Sequence, residues 1–267
     1  MIPQAALRKG FTVGSYLLVQ ISDLHLTASG SLPPGVRPRD NLLSGLRLLD
    51  DAGLRPDVFL LTGDLADAGD GACYDDLAAI LADAARGIGA SVVYLPGNHD
   101  DREMFRRHLL GGVGDGPLNQ THWRGGLRII ALDSTIPGED HGALDDRTLD
   151  YLRSELAVPA PDGTVVALHH PPIPSPIRFI SGLALRDPAR LRDAIAGSDV
   201  RIVLCGHNHH EALGVLGAVP VWVCPAVAYR ADTTRTQAFG QLPSSAFSRV
   251  DLTDDGPTVT VIEVPVA

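Results

Sequence analysis

Cysteine is scarce here, lysine nearly absent and aromatics few. Three cysteines, Cys73, Cys205 and Cys224, stand at wide spacings in 267 residues. An odd, scattered set excludes a disulfide framework and any Cys-x-x-Cys metal motif, and it fits a reducing, cytoplasmic setting. Lys9 is the one lysine among 22 basic residues, against 32 acidic ones, for a net charge of −10. A chain this acidic lacks the clustered cations that hold a phosphate backbone, so nucleic acid is not an expected partner. Long apolar runs are missing too. The longest uncharged run, around Leu213 to Ala228, falls short of the ~20 residues of a membrane span. Pro220 and Pro225 interrupt it, and it reads as two strands joined by a turn. The start, residues 1–14, has two basic residues but no apolar stretch long enough for a signal peptide, and is expected to be a flexible tail.

What is present is an ordinary globular composition, 45% hydrophobic and 20% charged, in a length that suits one α/β domain. Strand and helix patterns alternate. Apolar strands are predicted at Tyr16 to Ile21, Val58 to Leu61, Ser91 to Leu95, Leu127 to Leu132, Val165 to Leu168, Arg201 to Leu204, Val219 to Val223, Phe247 to Leu252 and Val259 to Val264. Helical spacing covers Asp40 to Ala52, Tyr74 to Ala85, Asp101 to about Leu109, Asp145 to Leu156 and Pro188 to Ala196. Continuous apolar strands between helices imply sheets covered on their outer faces. From Glu211 on, the chain is strand-rich without a strong helix, which suggests a second sheet packed on the first. No repeat, low-complexity tract or linker divides residues 1–267, so a single domain is expected.

Five short clusters of Asp, Asn and His each follow a strand pattern: Asp23-Leu24-His25, Gly63-Asp64, Gly97-Asn98-His99-Asp100, His169-His170 and Gly206-His207-Asn208-His209. Carboxylates, an amide oxygen and several imidazoles suit first-row transition metals better than calcium or magnesium. They are too many for one tetrahedral zinc, so two metals sharing a ligand is the economical reading. Asp23 and His25, flanking Leu24, are expected on one side of an extended strand end. Neighbours on such an end point opposite ways, so one of His169 and His170 is expected to bind. Asp67 and Asp70 read as members of a solvated loop.

This set resembles the calcineurin-like metallophosphoesterase superfamily, whose pattern is Asp-x-His, Gly-Asp, Gly-Asn-His-Asp/Glu, a lone His and Gly-His-x-His. Within it the chain is most similar to the class III cyclic nucleotide phosphodiesterases, through Asn98-His99-Asp100-Asp101-Arg102, His141-Gly142-Ala143-Leu144 and His169-His170-Pro171-Pro172. The resemblance implies a four-layer αββα sandwich, two mixed sheets flanked by helices, with the metal site at strand ends. It implies that one metal takes Asp23, His25, Asp64 and His209, and the other Asp64, Asn98, His169 and His207. His99 is then left to stabilise the substrate phosphate or protonate the leaving oxygen. Asp100 is expected either to hold the His99 ring or to cap the following helix. His141 and His170 are the candidates for substrate contacts, with a turn for His141 and a ligand or supporting role for His170 as alternatives. Purple acid phosphatases place a Tyr three residues after the shared Asp. Asp67 stands there instead, which argues against that subfamily's tyrosinate-bound ferric iron.

Two divalent ions, two carboxylates and a bridging hydroxide sum to +1, a charge that attracts a phosphodiester anion and favours its transition state. The activity implied is hydrolysis of 3′,5′-cyclic nucleotides, cyclic AMP and also cyclic GMP, to 5′-monophosphates by that hydroxide. Manganese or iron is the expected metal pair, with zinc or cobalt as alternatives. The partner is a small-molecule phosphodiester, with room for a homodimer. Another phosphodiester, such as a glycerophosphodiester or a nucleotide-linked lipid precursor, or a phosphoprotein, is the alternative substrate. A metal-free interaction scaffold is disfavoured by the intact ligand positions.

Overall fold

The computed structural model describes residues 15–266; the expected tail at 1–14 lies outside them. Two sheets pack face to face. The first runs in the order β13-β12-β1-β2-β3 and the second β4-β5-β6-β7-β9-β8. In the first, β1 (Tyr16–Ile21), β2 (Val58–Thr62) and β3 (Ser91–Leu95) are parallel, and the long β12 (Ser245–Thr253) and β13 (Gly256–Val264) add antiparallel beside β1. In the second, β5 (Leu127–Leu132), β6 (Thr164–Leu168), β7 (Val200–Cys205) and β9 (Val219–Val223) are parallel. Antiparallel β4 (Gln120–Arg124) and β8 (Ala212–Leu216) form its edges.

Apolar side chains define three seams and so four layers. Helices α1 (Pro38–Asp51) and α2 (Gly71–Arg86) cover the first sheet with α3 (Arg102–Phe105), which runs on into a π-helical turn over Arg106–Leu110. Helices α4 (Asp146–Leu156) and α6 (Pro188–Ile195) cover the second; the short α5 (Arg178–Gly182) lies between them in sequence. The middle seam joins Leu18, Leu60 and Leu95 of the first sheet to Ile129, Val165 and Leu204 of the second, all nearly or fully buried. Each such side chain contributes roughly 1.5–3 kcal/mol by leaving water. Asp70, Asp101 and Asp145 cap α2, α3 and α4 by accepting from Ala72, Met104 and Thr148 amides, so Asp70 is a cap rather than a free loop residue.

The strand-rich end of the chain does not make a sheet of its own. β8 and β9 extend the sheet begun by β4–β7, whereas β12 and β13 return to β1. The layers therefore divide near β4. Hydrophobic pattern identifies strands but carries no record of which neighbour each will find. The tiny ladder of β10 (Arg230–Ala231) and β11 (Gln241–Leu242) stands apart from both sheets. No helix among the described residues is long and apolar enough to cross a membrane.

Candidate metal centre

The carboxyl ends of β1, β2, β3, β6 and β7 converge, and the five clusters leave the sheets there, the place where open α/β sheets take ligands. The sheets are tied together at this edge. Gln20 of β1 donates to the Cys205 carbonyl of β7 at 2.9 Å, and Trp222 Nε1 of β9 to Ser248 Oγ of β12 at 2.9 Å.

Asp23 and His25 are not on an extended strand. Both have left-handed backbones, φ 54° and 48°, as do Asp64 (52°), His207 (70°) and His209 (54°). Five of the six non-glycine residues with positive φ among those described thus belong to the candidate ligand set. Each such conformation costs on the order of 1 kcal/mol. Main-chain and carboxylate bonds hold them: Asp23 N to Gly63 O at 3.0 Å, His25 N to Asp64 O at 2.8 Å, and His207 N to Asp23 Oδ1 at 3.0 Å. Leu24 still turns into the core. Gly63, at φ 91°, is required twice over: it takes the same backbone sense, and a Cβ there would strike the His169 ring.

Two groups of side chains result, with Asp64 between them. In the first, Asp23, His25, Asp64 and His209 bring their ligand atoms within 4.8 Å of one another. His25 Nε2 lies 3.1 Å from His209 Nε2 and 3.5 Å from Asp64 Oδ2, and His209 Nε2 is 3.5 Å from Asp23 Oδ1. In the second, His169 Nε2 is 3.3 Å from the same Asp64 Oδ2, and His207 Nδ1 is 3.0 Å from Asn98 Oδ1. The His169 and His207 rings meet edge to face at 5.0 Å.

Second partners fix which nitrogen of each ring is free. Nδ1 of His169 donates to the Thr62 carbonyl at 2.7 Å, that of His209 to the Tyr229 carbonyl at 3.0 Å, and that of His25 to Asp67 Oδ1 at 3.0 Å. In each case Nε2 is the nitrogen that faces the carboxylates, the orientation that metal-binding imidazoles need. Nε2 of His169 and of His207 are buried and without a hydrogen-bond partner. Such orphaned acceptors are costly in a fold unless something binds them. Together with two carboxylates and an amide oxygen, they make a donor set that fits a pair of first-row divalent cations.

The electrostatics divide the imidazoles into two kinds. Burial pushes the Asp23 carboxyl up to about 6, against the pull of His169. Burial would also raise Asp64, but His169 and His25 hold it well below the carboxylate range. Burial disfavours a charge on His169, yet the Asp64 carboxylate lifts it to about 9, so a cation bound at Nε2 takes the place of a proton held there against Asp64 Oδ2. Burial, aided by His169 and His25 respectively, drops His207 and His209 to about 3, so both keep a free lone pair at neutral pH.

Asp100 departs from both sequence expectations. It neither holds His99 nor caps α3, whose cap is Asp101. Its buried carboxylate accepts instead from the Leu65, Ala66 and Gly97 amides at 3.1, 3.0 and 2.9 Å, and from Tyr74 Oη at 2.8 Å. It pins the Asp64 and Asn98 loops together from beneath. Burial and then Asp64 raise it to about 6 despite those donors. Tyr74→Phe is therefore expected to cost about 1.5–3 kcal/mol, the worth of a hydrogen bond to a charged group, in urea unfolding, with turnover kept. A fall in turnover at unchanged stability would give Asp100 a part in the chemistry.

His99 is held differently. Its amide donates to Asp64 Oδ1 at 2.9 Å, and its ring Nδ1 to the Asp67 carbonyl at 2.9 Å. The ring is 41% exposed and lines a cavity of about 650 Å³. Asp67, expected in a solvated loop, serves both His25 and His99 and so belongs to the site. Its position three residues past Asp64 was visible in the sequence; its bond to His25 was not.

The two candidate substrate contacts fall elsewhere. His170 is fully buried, with Nδ1 2.8 Å from Ser134 Oγ and Nε2 3.2 Å from the Asp140 carbonyl, and its ring backs onto His207 at 4.6 Å. It supports the His207 ring and has no face to offer a substrate. His141 pairs with Glu139 at 3.5 Å and does not line the cavity, although its neighbour Asp140 does. Sequence reading also passed over Thr62, Tyr229 and Ser134, two of which act through backbone oxygens that every residue possesses.

Comparison with known proteins agrees with this geometry. A family profile described as calcineurin-like phosphoesterase matches residues 16–211. A protein of Rhodococcus erythropolis described as a probable cyclic nucleotide phosphodiesterase is 44% identical over 218 residues, 81% of this chain and 72% of that one. A cAMP/cGMP dual specificity phosphodiesterase of Mycobacterium tuberculosis is 42% identical over 221 residues, 82% of this chain and 70% of that one. Among solved structures, a dimetal phosphatase from Danio rerio aligns with a TM-score of 0.63 at 13% identity, over 94% of this chain and 99% of that one, a likeness of fold.

Proposed function

The chain belongs to the calcineurin-like phosphoesterase family, and from that membership we propose that it is a two-metal phosphodiesterase opening 3′,5′-cyclic nucleotides to 5′-monophosphates. The observation that carries the reading is the pair of ligand groups meeting at Asp64 Oδ2, with orphaned imidazole nitrogens, beside a cavity lined by His99. We assign Asp23, His25, Asp64 and His209 to one cation and Asp64, Asn98, His169 and His207 to the other. Manganese or iron suits this mixed set, with zinc or cobalt as substitutes. Bound there, two divalent cations supply water activated at neutral pH and positive charge for the phosphoryl oxygens.

The protein's own groups do the rest. Asp67 and the Thr62 and Tyr229 carbonyls keep the imidazole protons on Nδ1, so each Nε2 stays a donor atom. The His99 amide fixes Asp64, and the Asp67 carbonyl aims the His99 ring. Water gives up one proton to solvent as its oxygen bonds to phosphorus, the bond to the ribose 3′-oxygen breaks, and that oxygen takes a proton from His99 Nε2, which solvent then replaces. The phosphate stays on the 5′-oxygen. The three free cysteines agree with a reducing cytoplasm as the place of action.

Profiling the manganese-loaded protein against cyclic AMP, cyclic GMP, bis(p-nitrophenyl) phosphate and p-nitrophenyl phosphate tests the reading. Diesters are expected to be cleaved faster than the monoester, with cyclic AMP among the accepted substrates. Preference for the monoester with no cleavage of any cyclic nucleotide would overturn it.

A further inference from the structure

The wall of the cavity beside His99 carries one permanent cation, Arg102, in otherwise acidic surroundings that include Asp101, Glu103, Asp115 and Asp140. Its volume, about 650 Å³, is within the ~300–1,000 Å³ of small-molecule sites. Arg102 is built into place. Its Nε pairs with Oδ2 of Asp133, a fully buried carboxylate, at 2.8 Å and donates to the Thr135 hydroxyl at 3.2 Å, and its Nη2 donates to the Thr135 carbonyl at 2.8 Å. Asp133 is itself fixed by the Leu118 and Thr135 amides at 3.0 and 2.9 Å and by the Thr135 hydroxyl at 2.6 Å. A guanidinium has five N–H donors, and these contacts engage those on Nε and one on Nη2. Nη1 has no protein hydrogen bond among the described residues, so the outer Nη1/Nη2 edge keeps a free two-pronged fork on a side chain that is 18% exposed.

We propose that Arg102 reads the nucleobase of the substrate, its free fork pairing with two adjacent acceptors on a purine edge, and so determines base specificity. The inference rests on the cyclic nucleotide reading above. Guanine presents O6 and N7 side by side, which an Arg fork meets with two hydrogen bonds, whereas adenine offers N7 alone beside its amino donor. Guanine also carries N1–H and a 2-amino group, donors that suit carboxylates such as Asp115 and Asp140 in the lining of the same cavity. A wall with one fork among acceptors is complementary to that base. Asp133 is the positioning residue, since its buried carboxylate sets the plane of the guanidinium.

The test compares each variant on a nucleotide and on a diester that has no base. Arg102→Lys keeps the charge opposite Asp133 but loses the fork, since an ammonium cannot offer two parallel donors. Arg102→Met combined with Asp133→Asn removes the fork without leaving a buried carboxylate unpaired. Melting curves establish that each variant is folded. One bidentate pair discriminates between bases by roughly 5- to 150-fold. The ratio of kcat/KM for cyclic GMP to that for bis(p-nitrophenyl) phosphate is therefore expected to fall at least fivefold in a folded variant, mainly through KM. A smaller change in that ratio overturns the proposal, including the case in which both substrates lose alike because Arg102 touches the phosphate. If the unsubstituted protein cleaves the aryl diester but no cyclic nucleotide, the reading above fails and this inference fails with it. Cleavage of cyclic GMP whose ratio ignores Arg102 sinks the inference alone.

Discussion

Asp64→Asn is expected to yield a folded protein that holds one cation or none per chain and has lost phosphodiester hydrolysis, against two cations expected in the parent. The substitution is chosen for what it preserves. Asparagine accepts the left-handed backbone of this position, φ 52°, at least as readily as aspartate. Its carbonyl oxygen can still accept from the His99 amide, now 2.9 Å from Oδ1. What it loses is the charge and the second oxygen. Oδ2 is the atom that faces both groups, 3.5 Å from His25 Nε2 and 3.3 Å from His169 Nε2. An amide nitrogen there has no lone pair for either cation. With one atom proposed to serve both cations, the loss should exceed the ~10²–10³-fold that removal of a single oxyanion donor costs. Elemental analysis after reconstitution, beside hydrolysis of bis(p-nitrophenyl) phosphate, reads both effects. Two ions retained with near-parental turnover would take Asp64 out of the shared position.

The sequence made the strands and the ligand clusters legible for the same reason. Buried parallel strands such as Val58–Thr62 are nearly continuous apolar runs, so the polar Gly63-Asp64 that ends one stands out. Spacing also separated His207 from His209, which approach Asn98 and His25 respectively. What it could not carry was conformation and partnership. An Asp-x-His pair looks extended on paper, yet both residues here are left-handed, a state that depends on amides and carbonyls of the Asp64 loop far along the chain. Asp100 was misjudged because a carboxylate beside a histidine invites pairing. Four donors, three of them from other segments, outbid that one neighbour. The polar strand Gln120–Arg124 was missed since an edge strand need not be apolar.

His99→Ala is expected to keep both cations and the fold while turnover of cyclic AMP falls by roughly 10²–10⁴, the range for a positioned proton donor. The ring is 41% exposed and gives up little packing when truncated. None of the ligand-to-ligand contacts in the two groups passes through its side chain. Its one ring bond runs to the Asp67 carbonyl, which leaves Nε2 for the substrate. The size of the loss should depend on the leaving group. A ribose 3′-oxygen departs as a strongly basic alkoxide unless it is protonated, so cyclic AMP needs the acid. p-Nitrophenolate is weakly basic and departs unaided, so bis(p-nitrophenyl) phosphate should lose far less, on the order of tenfold or below. Equal losses on the two substrates would show that His99 stabilises phosphoryl charge rather than delivering a proton. Metal content falling in step with the rate would instead make it a ligand, and the assignment of Asn98, His169 and His207 to the second cation would have to be redrawn.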